Sequence, residues 1–190
     1  MRKDLGKQSG IFPMPVILLA AYDENKDVGV MAVSWCGMLS QEQVVLNLVN
    51  SWNTVKNIMH SKAFTVNLVS EEYLKQADFL GLVSGNKIPN KFEKSGFHAI
   101  ESEYVNAPII KELPVALECE LENIRDEDGL KRVVGTIVNI SVDESVYDED
   151  GLVEPLKFKS VVYDPFRNDY YSVGEKLGDA WKLGADVLQN

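Results

Sequence analysis

The chain has 190 residues, 45% of them hydrophobic and 25% charged, which suits one globular domain with a sizeable core. Its formal net charge of −10 excludes the basic surface that nucleic acid or an anionic membrane requires. Cys36 and Cys119 make neither a disulfide framework nor a CxxC pair, and His60 and His98 lack metal-ligand spacing.

The N-terminal MRKDLGKQSG contains no apolar signal core, and the longest apolar run, Val16 to Tyr22, is too short to span a bilayer. A soluble cytoplasmic protein is expected. Pro13 to Tyr22 reads as a strand entered through prolines, Asp23 to Asp27 as a polar turn, and Val28 to Trp35 as the returning strand of a hairpin. Val44 to Val49 is a third strand, rich in β-branched residues. Ser51 or Asn53 can cap a short helix that puts Val55, Ile58 and Met59 on one face. Phe64 to Val69 alternates as a fourth strand, after which Ser70 is the expected cap of a helix running to Leu82, with Glu71 and Glu72 in its first turn. Turn formers from Ser84 to Phe92 end that helix.

Leu113 to Glu122 alternates apolar and acidic residues, as a strand with one wet face does, and Asp126 to Gly129 turns it onto Val133 to Val142. Asp143 to Asp150 reads as a solvated loop, Lys159 to Tyr163 as a last short strand, and Gly174 to Leu188 as a C-terminal helix carrying Trp181. Strands dominate without βαβ alternation, so the expected fold is mainly β: a single barrel domain over residues 1–190 with helical insertions.

No GxSxG, GxGxxG or GxxxxGK[ST] occurs, which leaves binding chemistry or chemistry supplied by a cofactor. The stretch MAVSWCGMLS, Met31 to Ser40, has no charge. A flat aromatic plate with polar edges could lie against such an extended segment, and the helix start at Ser51 to Asn57 could take a phosphate. Plain core and a plain helix cap are the competing readings of these two segments.

The order of segments is more specific. The chain reads "PMPVILLAAYDENKDVGVMAVSW", "NSWNTVKNI", "FTVNLVSEEYLKQADFLGLVSG", "NKF", "LPVALECEL", "DESV" and "YDPFRNDYYSVGEKLGDAW". In that order it resembles the flavin reductase-like family with an FMN-binding split barrel, and its flavoredoxin branch in particular. The resemblance implies a Greek-key split barrel working as a homodimer, with FMN near the subunit interface. It implies that Met31, Ala32, Val33, Ser34 and Trp35 line the isoalloxazine and ribityl chain, largely through main-chain groups. Asn50, Ser51, Trp52, Thr54 and Asn57 match its phosphate-side segment. Ser84, Gly85, Lys91 and Phe92 match the loop over the cofactor, and Tyr163, Tyr171 and Gly174 the C-terminal segment near the flavin.

One departure stands out. Many relatives place an arginine just before the threonine of the "T…NI" segment, whereas Leu48 to Thr54 here has no basic residue. The phosphate would then rest on hydroxyls, amides and Lys91 or Lys56. The activity implied is NAD(P)H:FMN oxidoreduction with no side chain as proton donor, since hydride transfer between stacked rings needs alignment rather than a strong acid. An electron carrier reduced by a redox protein partner, and a split-barrel ligand-binding dimer without redox activity, are the alternatives. Cys36 reads as a small buried hydrophobe.

Overall fold

In the computed structural model, which describes residues 1–50, 52–185 and Val187, the first expected strand is split in two. The short β1 (Met14–Pro15) pairs elsewhere, and β2 (Ile17–Tyr22) carries the rest. β2 shows no alternation because both of its faces are covered. Ile17, Leu19 and Ala21 enter one core cluster, and Leu18 and Ala20 enter a second. In the turn that follows, Asp23 Oδ1 accepts from the amides of Asn25 (2.8 Å) and Asp27 (2.9 Å). β3 (Val28–Val33) returns along β2, and only two residues separate it from β4 (Cys36–Met38). β5 (Gln43–Val49) alternates, with Val44, Leu46 and Leu48 pointing into the first cluster.

Helix α1 (Asn53–Ser61) packs Val55 and Ile58 into that same cluster and is followed by β6 (Ala63–Leu68). A 3-10 turn, Glu71–Tyr73, leads into α2 (Leu74–Leu82), which covers the second cluster with Ala77 and Leu80. Ser70 occupies the cap position of the 3-10 turn, but its side chain makes no capping hydrogen bond. Then come α3 (Lys91–Ser95), the small hairpin of β7 (Ala99–Glu101) and β8 (Pro108–Ile110), and the long strands β9 (Val115–Glu127) and β10 (Leu130–Val142). Asp128 (φ 48°) and Gly129 (φ 84°) form the two-residue link between β9 and β10, where a left-handed pair matches the twist of the strands. α4 (Pro155–Phe158), β11 (Val161–Asp164) and β12 (Asp169–Ser172) finish the regular structure.

Seven strands form one antiparallel sheet in the order β3-β2-β6-β9-β10-β5-β4, curled into a half-barrel, and β1, β11 and β12 form a three-stranded sheet. The two edges of the large sheet, β3 and β4, are neighbours in the chain, so Ser34 and Trp35 form a seam that joins one edge to the other. Asn47 of β5 donates to the Trp35 carbonyl (2.9 Å) and fixes that seam. The charge-free stretch Met31 to Ser40 is therefore the end of one edge strand, the crossing, and the whole of the other edge strand.

Three sequence expectations need correction. The acidic face of β9 is not wholly wet. Glu118 is 1% exposed, because the β7–β8 hairpin closes over it, and its carboxylate accepts from Ser102, Ser141 and Asn139. Glu118→Ala would strand three donors and is expected to cost about 1–3 kcal/mol, read from the denaturation midpoint at unchanged m. The Asp143–Asp150 segment contains a 3-10 turn, Glu144–Val146, whose Val146 is buried against Val115 and Phe158. The described part of the expected C-terminal helix is irregular chain and turns, with 3-10 geometry at Ala185 and Val187; Asp186 and Leu188 lie outside the described residues. Trp181 there is fully exposed with φ 62°, and Leu177 is exposed too, so the described part of this segment buries no apolar helix face.

Candidate functional site

A cleft of about 700 Å³ runs along the free edge of β3. That volume lies within the usual range for small-molecule and cofactor sites. α1 forms one wall; the end of α2 and the loop that follows it form the other. Glycine lets the second wall come close, since a Cβ on Gly81 would meet Ala32 Cβ at 3.2 Å.

The floor is unpaired backbone. Asp23 N donates to Asp27 O (3.0 Å), and this fixes the alternation of the β2–β3 ladder. Gly29, Met31 and Val33 bond across to β2, so the N–H and C=O groups of Val28, Val30 and Ala32 point out of the sheet edge. Among the described residues nothing pairs with them. A row of unpaired donors and acceptors is a template for another polar edge.

One end of the cleft favours an anion. α1 begins after Trp52, which makes no side-chain capping bond, and the amides of Asn53 and Thr54 have no partner among the described residues. Lys91 lies at the same end, 9% exposed. Its Nζ donates to the carbonyls of Leu80 (3.0 Å) and Val83 (3.1 Å) at the end of α2, and it is in no ion pair among the described residues. Burial pulls its ammonium below the ordinary lysine range. A Cβ on Gly85 would stand in the gap between Asn53 Nδ2 (3.5 Å) and Lys91 Cε (3.9 Å). The glycine thus keeps open a small space between the helix start and the cation.

Of the residues singled out from sequence, Met31, Ala32, Trp52 and Thr54 line this cleft, as do Asn57, Ser84, Gly85 and Lys91. Others stand apart. Val33 points into the first core cluster, and Phe92 packs against the second. Asn50 is exposed in a turn, and Ser51 lies outside the described residues. Ser34 and Trp35 sit at the seam, where the Trp35 ring lies tilted against Tyr163 with centroids 6.1 Å apart. Tyr171 is on β12, edge-on to Phe12, and Gly174 is in exposed irregular chain. Cap placement also differs from expectation: Trp52 takes the position and Asn53 is the first helical residue.

Asn53, Lys56 and His60 line the cleft as well, as does the Asp23–Asp27 turn. Helical spacing from Asn53 through Asn57 to His60 was the available signal for that face of α1. Burial pushes the thiols of Cys36 and Cys119 up to about 12, so neither is a thiolate at neutral pH. No group of three or more possible metal ligands occurs among the described residues, and no helix there is long and apolar enough to cross a membrane.

The model of the flavin reductase-like domain matches residues 9–166. The chain belongs to the flavin reductase-like family. This flavin reductase-like protein superposes on flavoredoxin of Desulfovibrio vulgaris (Miyazaki F) with a TM-score of 0.91 and 31% identity, covering 97% of this chain and 100% of that one. It superposes on flavoredoxin from Methanosarcina acetivorans with a TM-score of 0.89 and 26% identity, over 98% and 99% of the two chains. A split-barrel-domain protein from Shewanella frigidimarina matches with a TM-score of 0.78 and 22% identity, over 88% and 85% of the chains. The curled sheet of this flavin reductase-like protein is thus a split barrel.

Proposed function

We propose that the cleft holds FMN and that the protein, as a homodimer, reduces the flavin with NAD(P)H. The observation that carries this reading is the buried ammonium of Lys91, held by two carbonyls and in no ion pair among the described residues, beside the start of α1, which has no side-chain cap, at one end of an open sheet edge. A buried cation without a carboxylate partner is costly unless an anion completes it. Lys91 thereby supplies the positive charge that the segment before Thr54 lacks.

The donors present fit the group. Lys91 and the Asn53 and Thr54 amides meet a phosphate, and the space kept by Gly85 admits it. The edge amides and carbonyls of β3 can meet the polar rim of a flat ring. When bound, the flavin supplies the redox chemistry, taking a hydride from a nicotinamide. The chain's own groups hold the cofactor, keep its orientation and keep water from one side of it. Backbone amides aimed at the ring's edge also stabilise negative charge that develops there. No side chain is assigned a proton transfer.

The homodimer is supported by apolar groups that one chain leaves uncovered. Phe12, Trp35, Met38, Leu39 and Tyr171 are each more than 40% exposed around the seam and β12. A second copy over this area would bury these side chains.

A second reading, an electron carrier served by a redox protein partner, is favoured by the full-length similarity to two flavoredoxins. One measurement separates the two. Titrating FMN into the protein should give saturable binding and a yellow complex, and anaerobic NADH or NADPH should then bleach it. Binding without bleaching would replace the reductase by the carrier, and no binding would overturn both.

A further inference from the structure

The three-stranded sheet holds a group of rings that the cleft does not use. Tyr163 on β11 and Tyr170 on β12 are direct cross-strand partners, with ring centroids 6.0 Å apart. Tyr163 also lies against Trp35 of the seam, at 6.1 Å. Both spacings are those of rings in contact. One indole and two phenols thus make a column from the seam to β12. The other close ring pairs among the described residues, Phe12–Tyr171 and Tyr73–Phe97, each include a phenylalanine, whose ring does not give up an electron under biological conditions. Trp35, Tyr163 and Tyr170 are therefore the one run of oxidisable rings in contact among the described residues.

The two tyrosines make hydrogen bonds that differ in kind. Tyr163 donates its hydroxyl to Oδ1 of Asn168 (2.8 Å), an amide oxygen that accepts a hydrogen bond but does not take up a proton. Tyr170 donates to Oδ1 of Asp78 on α2 (2.9 Å), a carboxylate, which can take the proton itself. Burial and then that bond push the Tyr170 hydroxyl up to about 12, so the phenol is intact at neutral pH. A phenol that loses an electron becomes a strong acid, and the oxidised ring persists only where its proton has a place to go. Tyr170 meets that condition and Tyr163 does not. An indole gives up an electron without such a partner. The chemistry therefore orders the column, with Trp35 as entry, Tyr163 as bridge and Tyr170 as terminus.

We propose that Trp35, Tyr163 and Tyr170 form a relay that carries oxidising equivalents of the carbonate-radical class from the seam beside β3 to the surface at α2. The oxidant takes one electron from the Trp35 indole and leaves as an anion. Tyr163 refills Trp35 and Tyr170 refills Tyr163, while water takes and returns the protons of the first two rings. The net change is one electron passed to the oxidant and one proton moved from the Tyr170 hydroxyl to Asp78. Tyr170 is 38% exposed, so a soluble thiol can restore it by giving one hydrogen atom. The relay serves to spare the seam from lasting oxidation, and it does so whether or not the cleft holds a flavin.

Pulse radiolysis in azide tests this on the full-length chain with no cofactor added. A parent protein carrying Trp52→Phe and Trp181→Phe keeps Trp35 as its one indole. The azidyl radical takes an electron from that indole and becomes azide. The indole radical signal should then decay at a rate independent of protein concentration, while a tyrosyl signal grows to match it. Tyr163→Phe and Tyr170→Phe, which keep the rings, should each abolish that growth and leave the radical on Trp35. Asp78→Asn still accepts the Tyr170 hydrogen bond but takes no proton, so it should abolish the growth as well, which loss of a purely structural contact would not explain. Tyrosyl growth at full yield in Tyr170→Phe or Asp78→Asn overturns the relay, and so does a parent protein in which no tyrosyl signal follows the indole radical. Circular dichroism of each variant separates loss of transfer from loss of fold. No flavin enters the measurement, so its outcome is independent of the flavin reading.

Discussion

Phe64→Ala and Gly135→Ala are each expected to destabilise the chain substantially, and the double variant by clearly less than the sum. Phe64 is fully buried on β6, in the first core cluster. Its ring lies across the backbone of β10 at Gly135, next to a register shift in the β9–β10 ladder. A Cβ at Gly135 would fall 2.3 Å from Phe64 Cζ and 2.7 Å from Cε1, closer than atoms can approach. Removing the ring empties a core site and is expected to cost about 3–5 kcal/mol. Adding the methyl overpacks the same site and is expected to cost about 1–3 kcal/mol. In the double variant the methyl enters space that the ring has left, so the coupling should reach about 1 kcal/mol or more with the compensating sign. Urea unfolding of the four proteins at constant m measures this. Strict additivity would show that the ring and the glycine do not share the site as described.

Lys91→Met is the second large effect, and it acts on binding. The methionine keeps an apolar stem of similar reach and removes the charge, so α3 and its packing should survive. Losing a charge-assisted contact to phosphate is worth about 1.5–3 kcal/mol, which corresponds to roughly a 10- to 100-fold weaker FMN complex. Riboflavin, which has the same ring and no phosphate, should bind the two proteins alike. Equal losses for FMN and riboflavin would place Lys91 elsewhere. The pH dependence follows from the same group. Burial lowers the Lys91 pKa in the free protein, and a bound phosphate favours its charged form. FMN affinity is therefore full while Lys91 is protonated and falls as pH rises through its lowered pKa, before the ordinary lysine range is reached. The methionine variant should lack that step.

Much of the scaffold was readable before any coordinates because its signals are local. The β9–β10 turn declares itself in Asp128-Gly129, and β5 in its strict alternation. β2 reads as a strand, but only the structure explains why it never alternates: helices and a hairpin cover the face that would otherwise be wet. Glu118 was misread for the same reason, since Ser102 beyond β7 and Asn139 and Ser141 of β10 close on its carboxylate. Lys91 looks like any solvated lysine in composition, and its burial depends on where the end of α2 comes to rest. Conversely, Trp35 and Tyr171 carry aromatic signals that draw attention, yet one chain alone leaves them outside the cleft wall. The C-terminal segment has helical spacing, but its described residues bury no apolar face, and spacing alone does not make a helix there.

The direct passage from one sheet margin to the other has a mechanical corollary. Only Ser34 and Trp35 separate the last residue of β3 from the first of β4, so these margins can part by no more than about 10–11 Å at that point, the reach of three extended residues. The closeness of the two margins is thus set by chain connectivity at Ser34 and Trp35, and no rung between β3 and β4 is needed to hold them there.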